Sequence, residues 1–174
     1  ELFDSQLDLS LAEISRQLNQ AEKNGTRPTR YKFAPFRRKT ISSEPGKLRE
    51  ICIPRIRDQI VLRTLSDQIS TSIENAYPHF LDTSPRRAVK EVIAARERGF
   101  HHVLRSDISR YYPSVPREPL LALVSQLNPD VRILDLVSLA LVTPWRDSRL
   151  GKTADTIPDR GLPIGVSLST VLAE

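Results

Sequence analysis

The stretch LRSDISRYYPSV, residues 104–115, sets one aspartate between an apolar lead-in and two adjacent tyrosines. Read with FHHV before it, the pattern predicts a central β-strand over 100–108. Val103, Arg105 and Asp107 then share one face, with Leu104 and Ser106 on the other. A strand that stops at Asp107 leaves the carboxylate at an edge where a ligand can reach it. An isolated aspartate at such a place is most often a turn-maker. Tyr111, Tyr112 and Pro113 directly downstream set this one apart.

Working outward, residues 8–24 read as a helix. Ser10 and Glu13 are spaced as a capping box, Leu11, Ile14, Leu18 and Ala21 recur on one side, and Gly25 closes it. YKFAPFRRKTI and KLREICI flank SSEPG, a hairpin with Pro45 and Gly46 at the centre of its turn. Pro35 makes part of its first arm an edge. A helix over 54–76 carries a stripe of Ile56, Ile60, Leu65, Ile69 and Ile73. Another, over 84–98, takes Ser84 as cap, Pro85 in the first turn and Gly99 as terminator. Two further helices are expected over 117–127 and 130–142, and Ser167 and Ser169 open a last one.

The bulk numbers narrow the setting. The 174 residues are 39% hydrophobic and 27% charged, the balance of one globular domain. A net charge of +5 suits a polyanionic partner. No apolar run is long enough to span a membrane. The single Cys52 forms no internal disulfide, which fits a cytoplasmic protein. There is no methionine, and VSLSTVLAE stops inside a helical pattern, so the chain is expected to be a piece of a longer protein.

Three segments carry candidate chemistry. Asp107 and its tyrosines are the first. In the second, GKLREICIPRIRDQIV, Lys47 and Arg49 point off one side of a strand, either as a solvated basic edge or as phosphate hooks. Arg37, Arg38 and Lys39 add charge beside them. In the third, RGLPIGVSLSTVLAE, Gly161 and Gly165 bracket Pro163 and allow close backbone approach, ahead of a helix whose first amides suit an anion. His101 and His102 lack partners at metal-ligand spacing and read as structural.

In this order and spacing the three segments resemble the N-terminal part of a bacterial reverse transcriptase, of the kind related to group II intron and retron enzymes. The resemblance runs from about Tyr31 to the last residue, on KLREICIPRIRDQIV, DISRYYPSV and GLPIGVSLSTVLA. It implies an α+β, right-hand polymerase fold, comprising fingers and the first part of the palm. Residues 1–30 would be an N-terminal helical extension and 31–99 the fingers. Residues 100–116 would hold the palm strand, 117–158 a helical fingers insertion, and 159–174 a truncated palm loop and helix.

The same resemblance implies RNA-directed DNA synthesis from dNTPs on a DNA or RNA primer with an RNA template. Asp107 would be the catalytic carboxylate, binding two Mg²⁺ ions (or Mn²⁺) with the carbonyl of Ile108. Lys47 and Arg49 would hold the triphosphate, Tyr111 would lie near it, and Tyr112 would exclude a 2′-OH, Tyr111 being the ring expected in the core. Pro163, Ile164 and Gly165, with Gly161, would line the templating pair, and Arg37, Arg38 and Lys39 would meet nucleic acid. Ile164 stands where most such enzymes have Gln, which resembles the phage-defence branch, and the GFR element of intron enzymes is absent. No [YF]-x-D-D occurs, so these residues alone are not expected to polymerise. A nucleic-acid-binding module that keeps the fold without catalysis is the alternative.

Overall fold

The computed structural model describes residues 2–21, 25, 27–44, 47–77, 85–147 and 160–173. Helix α1 (Leu2–Asn19) precedes a hairpin of β1 (Phe36–Glu44) and β2 (Lys47–Ile53), then helices α2 (Ile56–Ala76) and α3 (Pro85–Glu97). A one-turn helix α4 (Tyr111–Ser114), helices α5 (Arg117–Leu127) and α6 (Val131–Val142), a short strand β3 (Trp145–Asp147) and helix α7 (Ser167–Val171) follow. The strand order is β2-β1-β3, antiparallel in the hairpin and parallel between β1 and β3. The mixed helix and sheet class therefore agrees with the sequence. The hairpin's Pro45–Gly46 turn, the Ser84 cap, residues 148–158 of the expected insertion and residue 159 of the expected palm loop lie outside the described residues.

The core is built on α2, whose inward stripe is Val61, Leu62, Leu65 and Ile69. It meets Val124 of α5, Leu136, Val137, Ala140 and Leu141 of α6, and Leu168 of α7. The stripe is rotated from the expected one. Ile56 and Ile60 are exposed, and Asp58 takes the buried place at the start of the helix, 2% exposed. Its carboxylate accepts from the Tyr31 hydroxyl at 2.7 Å and the Ala34 amide at 3.2 Å, which ties the strand-entry segment to α2. Burial pushes the Tyr31 hydroxyl well above its ordinary pKa. A second tie joins Arg27 to Asp135 of α6 at 2.8 Å, with the Thr29 hydroxyl donating to the same carboxylate at 3.0 Å.

Helix α1 starts earlier than its capping-box pattern indicated, so Ser10 sits mid-helix and Glu13 does not cap. Arg16 binds that carboxylate at 2.8 and 2.7 Å, and Arg16 with Gln17 holds its pKa down at about 2. Ile14 enters the core, and Gln17 accepts from Arg57 at 2.6 Å. The start of the hairpin's first arm, Phe36 to Arg38, is not an edge, whereas the rest of that arm pairs only with the second arm among the described residues. Strand β1 starts just past Pro35 and takes β3 on its other side, so the missing proline N–H stays outside the ladder.

The strand expected over 100–108 is a further difference. Residues 101–108 make no β-pairing among the described residues and are exposed throughout, Val103 at 72% and Leu104 at 94%. Alternation supplies only a strand's side chains. The backbone also needs a neighbouring row of N–H and C=O groups, and no described segment offers this one a β-ladder. No helix among the described residues is long and apolar enough to cross a membrane.

Asp58→Ala would leave the Tyr31 hydroxyl and the Ala34 amide without their acceptor inside the fold. Chemical denaturation is expected to show a loss of about 2–4 kcal/mol, against about 1 kcal/mol for Tyr31→Phe.

Candidate functional site

Main-chain bonds bring the three sequence segments together. The Gly161 amide donates to the Val115 carbonyl and the Leu162 amide to the Tyr112 carbonyl, both at 2.8 Å. Arg160 and Pro116 form an isolated antiparallel bridge, and Arg117 Nε donates to the Gly161 carbonyl at 3.0 Å. On the loop's far side the Ile164 carbonyl accepts from the Cys52 amide in β2 at 2.7 Å. Two glycines make this possible. Gly161 has φ 94° and a Cβ there would lie 3.1 Å from the Pro113 carbonyl oxygen; Gly165 has φ 89° and its Cβ would lie 3.3 Å from the Cys52 carbonyl oxygen.

The hairpin register sorts the cations. Arg37 pairs with Ile53, Lys39 with Ile51, and Ile41 with Arg49, so Arg37, Lys39 and Arg49 share the face of Ile51 and Ile53. That face borders a groove of about 410 Å³ lined by Ile51, Ile53, Gln59, Arg63, Gly165 and Ser167. Arg37, Lys39 and Arg49 are exposed and have no acid partner among the described residues. Lys47 pairs with Glu44 at the bulged end of the ladder.

Arg38 belongs to the opposite face. It lies over the Trp145 ring at 4.0 Å and pairs with Glu50, so it does not join the other two cations of its run. This face lines a second groove, of about 330 Å³, with Cys52, Arg117, Arg160 and Pro163 around it. Burial pushes the Cys52 thiol up, opposed by the Arg38 charge and reinforced by Glu50. Trp145 and Arg117 were not among the residues singled out in the sequence. Both act across long sequence separations, and no local pattern marks them.

The tyrosines divide differently from the expectation. Tyr112 packs against the core, while Tyr111 is 37% exposed and donates from its hydroxyl to the Ala173 carbonyl at 2.8 Å. Their rings meet edge to face at 6.0 Å. Asp107 and Ile108 are exposed, just before Arg110, whose φ of 54° turns the chain into α4. No group of three or more metal-ligating side chains occurs among the described residues. Helix α7 is a single short turn, and Ser169 lies inside the fold at 1% exposure, its hydroxyl without a partner and its amide bonded to the Val166 carbonyl at 3.1 Å.

No family model matches the chain, and no curated protein does. Among solved structures, a chain of a partial Cas6-RT-Cas1–Cas2 complex matches with a TM-score of 0.56 and 19% identity, over 95% of this chain and 28% of that one. A chain of a Cas6-RT-Cas1–Cas2 complex matches with the same score and identity, over 95% of this chain and 17% of that one. The likeness is one of fold: the chain takes the fold of part of an RT-containing complex and spans about a quarter or less of the matched chains.

Gly165→Ala adds both backbone strain and a contact with β2, whereas Gly25→Ala, at φ 70°, adds strain with nothing within 4 Å. Denaturation is expected to show a loss of about 1–3 kcal/mol at Gly165, clearly larger than at Gly25. Equal losses would mean that the loop does not press on β2.

Proposed function

We propose that this chain is the fingers and first palm portion of a reverse-transcriptase-type polymerase, which joins dNTPs to a primer 3′-OH. The observation that carries the reading is the convergence on one loop. Residues 161–165 bind β2 on one side and the α4 turn on the other, which sets the basic hairpin face and the packed Tyr112 around a common loop. In this reading Lys47, Arg49 and Lys39 neutralise the triphosphate, and the guanidinium fork of Arg49 gives paired contacts to phosphate oxygens. Tyr112 presents a ring held by the core under the sugar. Pro163, Ile164 and Gly165 offer a flat, close backbone surface to the new base pair, Tyr111 fixes the turn from α7, and Arg37 follows the strand.

The oxygen ligands at hand are the Asp107 carboxylate and the Ile108 carbonyl. Both are hard donors of the kind Mg²⁺ takes, and Mg²⁺ uses few protein ligands beside substrate phosphates, so they fit one side of a metal site. Bound there, the ions would activate the attacking hydroxyl and neutralise the leaving pyrophosphate. Two ions call for a further carboxylate beyond Asp107. The second reading is a non-catalytic nucleic-acid-binding module of the same fold; it applies if the longer polypeptide supplies no such carboxylate, and the presence of Asp107, Tyr112 and Arg49 speaks against it. Ile164 in place of Gln supports a place in the phage-defence branch, in which DNA made without a template is a distinct outcome.

Primer extension by the polypeptide that carries this chain separates these readings. With Mg²⁺, dNTPs and a primed RNA, labelled DNA is expected, and Asp107→Asn is expected to lower its rate at least about 100-fold. DNA made without template supports the defence branch, and no DNA under any of these conditions leaves the binding module. Tyr112→Ala is expected to raise incorporation of rNTPs relative to dNTPs by about 10- to 100-fold. An unchanged ratio would remove Tyr112 from the sugar pocket.

A further inference from the structure

Helix α1 enters the fold through its second half. Ile14 is 5% exposed in the core, Leu18 packs against it, and Gln17 accepts from Arg57 of α2. The same stripe continues toward the N-terminus as Leu11 and Leu7, 40% and 43% exposed, and residues 7–12 are exposed throughout. Helical segments shorter than about 12 residues are marginal in water without packing. An amphipathic half-helix that stands clear of the core therefore calls for a surface to cover it, and its charge says of which kind. Residues 1–15 hold Glu1, Asp4, Asp8 and Glu13 and no Lys or Arg, on a chain whose net charge is +5.

The complementary surface on this chain is the groove face of the hairpin. Arg37, Lys39 and Arg49 share that face with Ile41, Ile51 and Ile53, and the groove of about 410 Å³ runs along it. Leu7 and Leu11 are one turn apart, about 6 Å along the helix, and Ile51 and Ile53 are about 7 Å apart along β2. Both surfaces are exposed in the same copy, and α1 is a continuous helix fixed at Ile14, so the two do not meet within it. We infer that α1 of one copy docks on the hairpin face of a second copy, with Leu7 and Leu11 on Ile51 and Ile53 and Asp8 among the three cations. Each copy offers both surfaces, so the exchange is reciprocal. An apolar helix stripe in a groove of opposite charge is a recurring mode of recognition. The consequence for activity rests on the polymerase reading, which gives the covered face to the triphosphate: self-association closes the nucleotide site.

Sedimentation velocity of the polypeptide that carries this chain, over a series of concentrations, is expected to show a monomer–dimer equilibrium. Leu7→Asp with Leu11→Asp is expected to weaken the dimer about 10-fold or more, and Arg49→Glu likewise. Cross-linking locates the contact, with native cysteines replaced by Ser. A mixture of Leu7→Cys and Lys39→Cys proteins with a short bis-maleimide is expected to give a dimer-sized product that neither protein gives alone. A product from Leu7→Cys alone would mean that α1 pairs with α1 and would overturn the proposal. A monomer at every concentration, or a dimer unchanged in the double Asp variant, would overturn it too. Primer extension at concentrations that favour the dimer is expected to be about 10-fold faster in the double Asp variant, and equal rates would remove the inhibitory role. If neither protein makes DNA while the cross-link forms, the polymerase reading falls and the docking stands. DNA synthesis by a wild type that stays monomeric has the opposite meaning.

Discussion

The loop of residues 161–164 is held by its own backbone from two sides: amides at 161 and 162 donate to the 112–115 turn, and the carbonyl at 164 accepts from β2. Main-chain bonds of this kind ask little of the side chains that flank them. Pro163 fits because nothing demands its missing N–H. Ile164 contributes a carbonyl to the fold, so its side chain is free to be chosen for whatever approaches the loop. Leu162 is held by its place in the buried core, and the two glycines are held by backbone geometry, since each combines a left-handed φ with a backbone neighbour inside ordinary Cβ contact distance. The structural requirement and the functional one thus fall on different atoms of the same short segment.

Strand register does comparable work in the hairpin. Side chains alternate, so a slip of one residue would move Arg38 to the groove face and carry Arg37 and Lys39 to the Trp145 side. The Trp145 ring and Glu50 hold Arg38 where it is, and a slipped register would leave that ring without its cation and Glu50 without its partner. β3 therefore does more than widen the sheet. It supplies the ring that distinguishes one arginine from its neighbours in a run of three cations.

Much of this was legible in the sequence. The helices over 117–127 and 131–142, the Gly99 stop and the two strands of the hairpin follow from periodicity and turn chemistry, which act within a few residues. The features that escaped depend on partners far along the chain. Asp58 displaced Ile56 and Ile60 from the buried stripe because Tyr31 and the Ala34 amide needed an acceptor. Ser10 looked like a cap because local spacing cannot reveal that the helix continues before it. Alternation over 100–108 matched a strand, yet pairing is a property of two segments and cannot be read from one. At the loop, sequence spacing named Gly161, Pro163, Ile164 and Gly165, but not which carbonyls they meet.

The packed and unpacked parts of the chain meet at Tyr112. Ahead of it, residues 85–110 contribute nothing to the buried core among the described residues; from it onward, the turn is bonded to the loop and to the end of α7. Asp107 lies on the unpacked side, five residues from that anchor. An extended chain advances at most about 3.6 Å per residue, so its Cα stays within about 18 Å of Tyr112 whatever the preceding segment does. The left-handed turn at Arg110 shortens that reach by redirecting the chain just before α4. Asp107 is thereby kept near the loop by a tether rather than by packing, and its final position depends on what pairs with the backbone of residues 101–108.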